Sequence, residues 1–160
     1  MVASSSSPRY VKTTTDPLGR TSSTETPGYN GTVLAQNFYN NLGQLVKTSK
    51  TGSADTLYSY DDAGQLFRAA LDLNSSGTID PAVVDRVSET ESAYANESGS
   101  WWRVKASKGY NDSGAAVTTK TDKSRLTGFA SGVNAESVSI DIYGTALTSN
   151  TSIDRANKTA

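Results

Sequence analysis

The stretch LYSYDDAGQLFRAALDL, residues 57–73, places a tyrosine directly before an Asp-x-x-Gly segment and follows that segment with partly alternating apolar residues. The Asp61 side chain can accept a hydrogen bond from a backbone N–H two residues further on, which favours a type I turn. Gly64 supplies the positive φ with which such a turn rejoins the strand ladder as a bulge. Tyr60 is large enough to pack across to a neighbouring strand. The stretch therefore predicts a strand, a tight turn and a second strand.

The spacing of Asp or Asn followed three positions later by Gly recurs along the chain. It begins at residues 16, 40, 61, 74, 96, 111 and 141. A tyrosine precedes three of these segments, and the β-branched Thr15 and Ile140 precede two more. A motif that returns at intervals of about 20 to 50 residues is typical of a repeat protein. The predicted repeat-turn residues are Asp16, Gly19, Tyr39, Asn40, Gly43, Tyr60, Asp61, Gly64, Tyr110, Asn111, Gly114, Asp141 and Gly144.

The composition limits the classes of protein to which the chain can belong. Hydrophobic residues make up 35% of the sequence, which is little for a thick two-layer core, while the aromatic content and net charge of -1 do not fit a disordered chain. The absence of a basic run argues against nucleic-acid binding. The sequence contains no apolar run of 18 residues, so no membrane span is predicted. Cys and His are both absent, which removes the usual zinc sites and the Ser-His-Asp and Cys-His catalytic arrangements. We therefore predict a protein that is not an enzyme and has no catalytic residues.

Short segments rich in β-branched and aromatic residues predict an all-β fold, an antiparallel sheet of successive β-hairpins. Residues 1–8 are predicted to be a disordered N-terminal segment, 9–155 the repeat region and 156–160 a C-terminal tail. The segment from 80 to 95 also has apolar spacing that fits a short helical turn after Pro81. Strands are predicted near residues 9–15, 32–39, 44–51, 56–61, 65–73, 84–95, 100–110, 115–121, 136–143 and 145–155.

The repeated segments resemble the tyrosine-aspartate (YD) repeats of the RHS proteins, whose typical core reads YDxxGRL. The matching segments are TDPLGRT at 15–21, YNNLGQL at 39–45, YDDAGQL at 60–66 and YNDSGAA at 110–116, and the resemblance extends from about residue 10 to 155. It implies a long antiparallel sheet that spirals into a hollow shell, as in bacterial polymorphic toxins, the cocoon of insecticidal toxin complexes and the animal teneurins. In the toxin members, the shell encloses a carboxy-terminal toxin. No terminal self-cleavage segment and no toxin domain are recognised here, so neither property is carried over to any residue.

The resemblance implies a structural segment of a β-shell in a secreted or cell-surface protein, where it encloses or presents a toxin domain or another partner. A repeat array of this length needs neighbours over its end strands, so flanking repeats of a longer polypeptide are the expected partners, although no signal peptide is recognised at the start. The alternative is an extracellular adhesion module that binds carbohydrate or protein through exposed aromatic side chains. Trp101 and Trp102 are candidates, but adjacent strand residues point to opposite faces, so only one of them can serve a given surface.

A second motif, DLNSSGTID at residues 72–80, resembles the front of an EF-hand or dockerin calcium loop. The twelfth position of such a loop should hold a bidentate Glu, and Val83 stands there instead. The segment therefore predicts either weak calcium binding or an ordinary turn between strands, and no other cofactor is expected. The candidate calcium ligands are Asp72, Asn74, Ser76 and Asp80.

Overall fold

The computed structural model describes residues 9–29, 31–82, 84–128 and 132–154, without the side chain of residue 154. Within these ranges the protein is all-β: it has eleven strands, no helix, and only antiparallel pairs in its strand registers. The predicted fold class is therefore confirmed. The described residues fall into two compact units, divided between Val87 and Ser88. The segments predicted as a disordered N terminus (1–8) and as a tail (156–160) lie outside the described residues.

The first unit is a series of hairpins in which each strand pairs with the next one in the sequence. Short turns join these strands, and a longer loop, described at residues 73–82, 84 and 85, follows the last of them. The strands are β1 (Lys12–Thr15), β2 (Thr21–Gly28), β3 (Gly31–Tyr39), β4 (Leu45–Lys50), β5 (Asp55–Tyr60) and β6 (Leu66–Asp72).

The second unit repeats the same arrangement with longer strands. Its first strand begins two residues before the division between the units. Successive strands again pair antiparallel, so sequence order and sheet order agree within this unit as well. The strands are β7 (Arg86–Glu97), β8 (Ser100–Tyr110), β9 (Ala116–Gly128), β10 (Gly132–Asp141) and β11 (Ala146–Asp154).

One strand, β2, was not predicted from the sequence. Its residues, TSSTETPG, contain no aliphatic or aromatic side chain apart from the proline ring, so the apolar alternation that indicates a strand is absent. It is extended because it completes two ladders at once. Glu25, for example, pairs with Lys12 on one side and with Leu34 on the other.

Two boundaries and one alternative also differ from the sequence prediction. Strand β9 continues to Gly128, and β10 begins at Gly132 instead of near residue 136. Where the two extensions meet, Asn134 pairs with Gly128 and Ala135 pairs with Leu126, and the rest of the β9 extension pairs with residues 136–139. The helical alternative after Pro81 does not occur in the described residues, because β7 begins at Arg86.

Few side chains are buried in either unit. The buried hydrophobic residues are Leu57, Ala70 and Val87 in the first unit and Trp102 in the second. Leu57 and Ala70 pair across β5 and β6, and the loop after β6 places Ile79 beside the Leu57 face. The loop and the strands together line an open depression of about 560 Å³ on this part of the first unit.

Candidate functional site

Five of the Asx-x-x-Gly segments form the same hairpin turn. In each, the Asx N–H donates to the carbonyl of the fourth residue after it, and the Gly N–H donates to the Asx carbonyl, with N···O distances of 2.9 to 3.1 Å. The φ angles of these glycines lie between 74° and 83°, where a side chain would be strained. The pairs are Asp16 with Gly19, Asn40 with Gly43, Asp61 with Gly64, Asn111 with Gly114, and Asp141 with Gly144.

The Asx side chain fixes each of these turns from within. Asp16 Oδ1 accepts hydrogen bonds from the N–H groups of Leu18 and Arg20, both at 2.9 Å. The corresponding oxygens of Asn40, Asn111 and Asp141 accept the same two bonds, and Asp61 Oδ1 accepts one from Gln65 at 2.8 Å. Asn and Asp are interchangeable here because both offer the Oδ1 acceptor.

The two other occurrences of the spacing fold differently. The segment from Asn96 ends in a two-residue turn between β7 and β8, in which Ser98 and Gly99 both have positive φ, as in a type I′ turn. The segment from Asn74 lies in the loop after β6, where Ser75 and Gly77 have positive φ. The same four-residue spacing therefore supports three local structures, and the flanking residues decide between them.

Tyrosine hydroxyls link consecutive turns in the first unit. Tyr39 Oη donates to the Thr21 carbonyl at 3.1 Å, and Tyr60 Oη donates to the Leu45 carbonyl at 2.8 Å. Thr21 and Leu45 are the first residues of β2 and β4, directly after the preceding turns. Each tyrosine hydroxyl therefore connects its own turn to the preceding turn through a hydrogen bond.

The residues after the first two turn glycines, Arg20 and Gln44, make a second link between turns. Arg20 binds Asp16 through Nε and Nη2 at 2.7 and 2.6 Å, and its Cζ lies 4.2 Å from the centre of the Tyr39 ring. Gln44 accepts from Asn40 Nδ2 at 2.8 Å and donates through Nε2 to the Gly64 carbonyl at 3.4 Å. We call the linked turns at residues 16–20, 40–44 and 61–65 the turn ladder.

The turn ladder leads to a first prediction. Tyr60→Phe removes the hydroxyl that donates to the Leu45 carbonyl and leaves the ring in place, so we expect a loss of about 1 kcal/mol in the free energy of unfolding. Urea denaturation followed by circular dichroism measures this loss. Tyr143→Phe is the matched control, because Tyr143 is 90% exposed and its hydroxyl removal should leave the stability unchanged. Equal effects of the two substitutions would contradict the link between turns.

The first turn also leads to a pH prediction. Desolvation raises the pKa of Asp16, but hydrogen bonds from the Arg20 side chain and the Arg20 and Leu18 amides, with the charge of Arg20, together hold it below 3.8. A carboxyl whose pKa is lower in the folded chain stabilises it above the unfolded pKa and loses that effect as pH falls through the folded value. Asp16→Asn keeps the Oδ1 acceptor but lacks the charge. We therefore expect the variant to be less stable than the wild type at pH 7.

The difference between the two proteins should narrow as the pH falls below about 4, because the wild-type carboxyl then gains its proton. Urea midpoints at a series of pH values measure it. Asp62→Asn, at an exposed turn position, is the control and should show no such convergence. A constant difference between Asp16→Asn and the wild type across this range would contradict the prediction.

Tyr110, which precedes the fourth turn, has a different hydrogen-bond partner. Its hydroxyl donates to Glu89 Oε2 at 2.6 Å, and the buried Glu89 carboxylate also lies 3.6 Å from Lys108 Nζ. Lys108 also forms an ion pair with Glu91. The hydrogen bond to Glu91 is the largest cause that raises the Lys108 pKa, whereas desolvation lowers this pKa. Sequence analysis did not identify this cluster, since Glu89 and Lys108 meet only through the β7–β8 register.

Of the four candidate calcium ligands, Asp72 is the last residue of β6 and the other three lie in the loop after it, and all four bind polar groups of that loop. Asp72, which is 2% exposed, accepts from the N–H groups of Ser76 and Gly77 at 2.9 and 2.8 Å. Asn74 Oδ1 accepts from Ser76 N at 3.0 Å, and Asp80 Oδ2 accepts from the hydroxyls of Ser76 and Thr78 at 3.0 and 2.9 Å.

A further acidic residue, Asp85, accepts from the N–H groups of Leu73 and Asp80, both at 3.0 Å, and so closes the same loop. Among the residues that the structure describes, no group of three or more acidic side chains is arranged to hold a metal ion. Val83 lies outside the described residues. Calcium binding stays a prediction, which melting curves with millimolar calcium and with a chelator can test.

The adjacent tryptophans occupy opposite faces of β8. Trp102 is 8% exposed, and Arg125 Cζ lies 4.4 Å from the centre of its ring. Trp101 is 66% exposed. Only Trp101 is therefore available to a ligand, and Trp102 has a structural role in the second unit.

Comparisons with models of known protein families, with curated proteins and with solved structures find no match to this chain. In the described part of the chain, no helix has the length and apolar character needed to cross a membrane. The turn geometry is therefore the basis for the functional proposal that follows.

Proposed function

We propose that the chain is a non-enzymatic structural segment of an RHS-type β-shell, part of a longer secreted or cell-surface polypeptide, which encloses or presents a toxin domain or another partner. The observation that supports this proposal is the turn ladder. Consecutive hairpins bind each other through tyrosine hydroxyls and through the side chain after the turn glycine. Such links favour an array in which each hairpin is positioned by its neighbour.

The distribution of buried residues supports the same function. Four hydrophobic side chains are buried among the described residues, so each unit depends largely on backbone ladders and on cross-strand pairs of polar side chains. An extended layer of this kind suits a wall that separates or presents other molecules. The proposal assigns no catalytic residue.

The outer strands of the array are suited to pairing with flanking repeats. Among the described residues, β1 pairs with β2 alone and β11 pairs with β10 alone. Each of these strands has one edge whose N–H and C=O groups can pair with a further strand, and exposed edges of this kind are usually covered. We propose that preceding and following repeats of the same polypeptide cover them.

The test is to identify the native polypeptide with antibodies raised against this chain. We expect a cell-surface or secreted protein much longer than 160 residues, with a partner domain that resists protease until the shell is unfolded. Protease sensitivity of that partner at conditions where the repeat region stays folded would contradict enclosure. Detection solely of a 160-residue protein inside the cell would overturn the proposal.

Adhesion is the second candidate function, and the exposure of Trp101 favours it. An aromatic ring that is 66% exposed in the middle of a folded chain offers a flat apolar surface to a sugar or to another protein. Screening immobilised glycans with the wild type and with Trp101→Ala tests this function. Binding that is unchanged in Trp101→Ala would contradict a role for this ring.

A further inference from the structure

We propose that one face of the second unit binds an acidic glycan, with Arg103 pairing with a sugar carboxylate and Trp101 stacking on a sugar ring. This inference rests on the adhesion function and is independent of the shell. We call the surface the Arg103 face and define it by two cross-strand rows on β8, β9, β10 and β11. The rows are Arg103, Ser124, Ser137 and Ser149, and Lys105, Asp122, Ser139 and Leu147.

The strand registers place these residues side by side. Arg103 pairs with Ser124, Ser124 with Ser137, and Ser137 with Ser149, so the first row crosses four strands without a register shift. Directly paired residues share a sheet face. All eight residues line a single depression of about 400 Å³, which lies in the size range of small-molecule sites.

The charges of the Arg103 face favour an anion. Among the described residues, neither Arg103 nor Lys105 has a carboxylate within ion-pair distance. Asp122, the acidic residue of the two rows, is paired with Lys120 at 2.9 Å. That ion pair, a hydrogen bond with Ser139 and the nearby charge of Lys105 lower the Asp122 pKa, so Asp122 offsets part of the positive charge of Lys120 and Lys105. Arg103 is therefore the cation of the two rows whose charge is not offset by a carboxylate among the described residues, and it lines the depression.

The uncharged groups of the face favour a glycan as the source of that anion. The serine hydroxyls of the first row can donate and accept hydrogen bonds, as sugar hydroxyls require. With strands about 4.8 Å apart, the row from Arg103 to Ser149 is about 14 Å long, enough for several sugar hydroxyls in succession. Trp101 lies two residues before Arg103 and therefore on the same face, where its exposed ring can stack on a sugar.

Trigalacturonate is a suitable probe because each of its sugars has a carboxylate, and maltotriose is its neutral counterpart. Isothermal titration calorimetry with the full chain should show saturable trigalacturonate binding and maltotriose binding weaker by about tenfold or more. Arg103→Gln should reduce trigalacturonate affinity by about tenfold and Trp101→Ala by about fivefold. The matched controls, Arg86→Gln and Tyr143→Ala, change exposed residues that do not line this depression and should leave the affinity within about twofold.

Three results would overturn the inference. The first is no trigalacturonate binding at millimolar concentration. The second is equal binding of hexaglutamate, since the face would then select charge and not sugar. The third is maltotriose binding that is lost in Trp101→Ala, together with trigalacturonate binding that is unchanged in Arg103→Gln. That result would support adhesion through Trp101 but would contradict the binding of an acidic glycan by Arg103. Circular dichroism of each variant separates loss of binding from loss of folding.

Discussion

Trp102→Ala is expected to lower the free energy of unfolding by about 3 to 5 kcal/mol, whereas Trp101→Ala should change it by less than about 0.5 kcal/mol. The two residues are adjacent and chemically identical, so the comparison isolates their environments. Trp102 is 8% exposed and Trp101 is 66% exposed. Removing the Trp102 ring leaves a cavity in a unit that has little other buried apolar surface.

Part of the expected loss comes from the partner of the Trp102 ring. Arg125 lies over that ring and is held there by Glu136, through Nε at 2.7 Å and Nη2 at 2.6 Å. Without the ring, the guanidinium loses a cation–π contact and the packing of its stem. Trp102→Phe keeps an aromatic face and should therefore lose less than Trp102→Ala.

Urea denaturation followed by circular dichroism is the suitable measurement, because tryptophan fluorescence changes with the substitution itself. The midpoints of the Trp101 and Trp102 variants are compared with that of the wild type. Equal losses in Trp101→Ala and Trp102→Ala would contradict the assignment of the two rings to an exposed and a buried face.

Asp72→Ala is expected to cost about 2 to 4 kcal/mol, the second largest effect. The Asp72 carboxylate is buried and accepts from two backbone N–H groups, those of Ser76 and Gly77. Alanine leaves both donors without this acceptor. Ile79 of the loop lines the same depression as Leu57, so loosening of the loop should raise the exposure of the Leu57 side chain.

Two variants make the Asp72 test specific. Asp72→Asn keeps one carbonyl acceptor and should lose less than Asp72→Ala, while the exposed Asp62→Ala should be nearly neutral. Chemical denaturation with a chelator present measures the protein part of the effect. Hydrogen exchange of the Ser76 and Gly77 amides should quicken in Asp72→Ala. Unchanged exchange would show that other contacts hold the loop.

The turns were predictable because their causes are local. An Asx side chain reaches amides two and four residues away, and a glycine accepts the positive φ, so a five-residue segment contains both parts of the interaction. Strand β2 was not predictable in this way. Its polar residues are extended because strands on both sides pair with them, and this information is not present in the segment itself.

The side-chain sites were less predictable than the turns. Alternation predicts that Trp101 and Trp102 face opposite ways, but it does not indicate which ring is buried, and the contact of Arg125 with the Trp102 ring depends on the β8–β9 pairing. The contact between Tyr110 and Glu89 joins residues 21 positions apart and also needs the register. The Arg103 face likewise exists only when four strands are aligned.

The turn ladder has a consequence for how such a chain can change in length. Tyr39 and Tyr60 each bind the carbonyl that follows a preceding turn, whatever residue supplies it, so these two junctions between hairpins have the same chemistry. Gene duplication or deletion of a whole pair of strands therefore joins compatible surfaces. A shift of the register by one residue would separate the tyrosine from its acceptor and move every side chain of the strand to the opposite face of the sheet. Within the turn ladder, a change of length by a whole hairpin therefore keeps the tyrosine–carbonyl contacts that a smaller step would break.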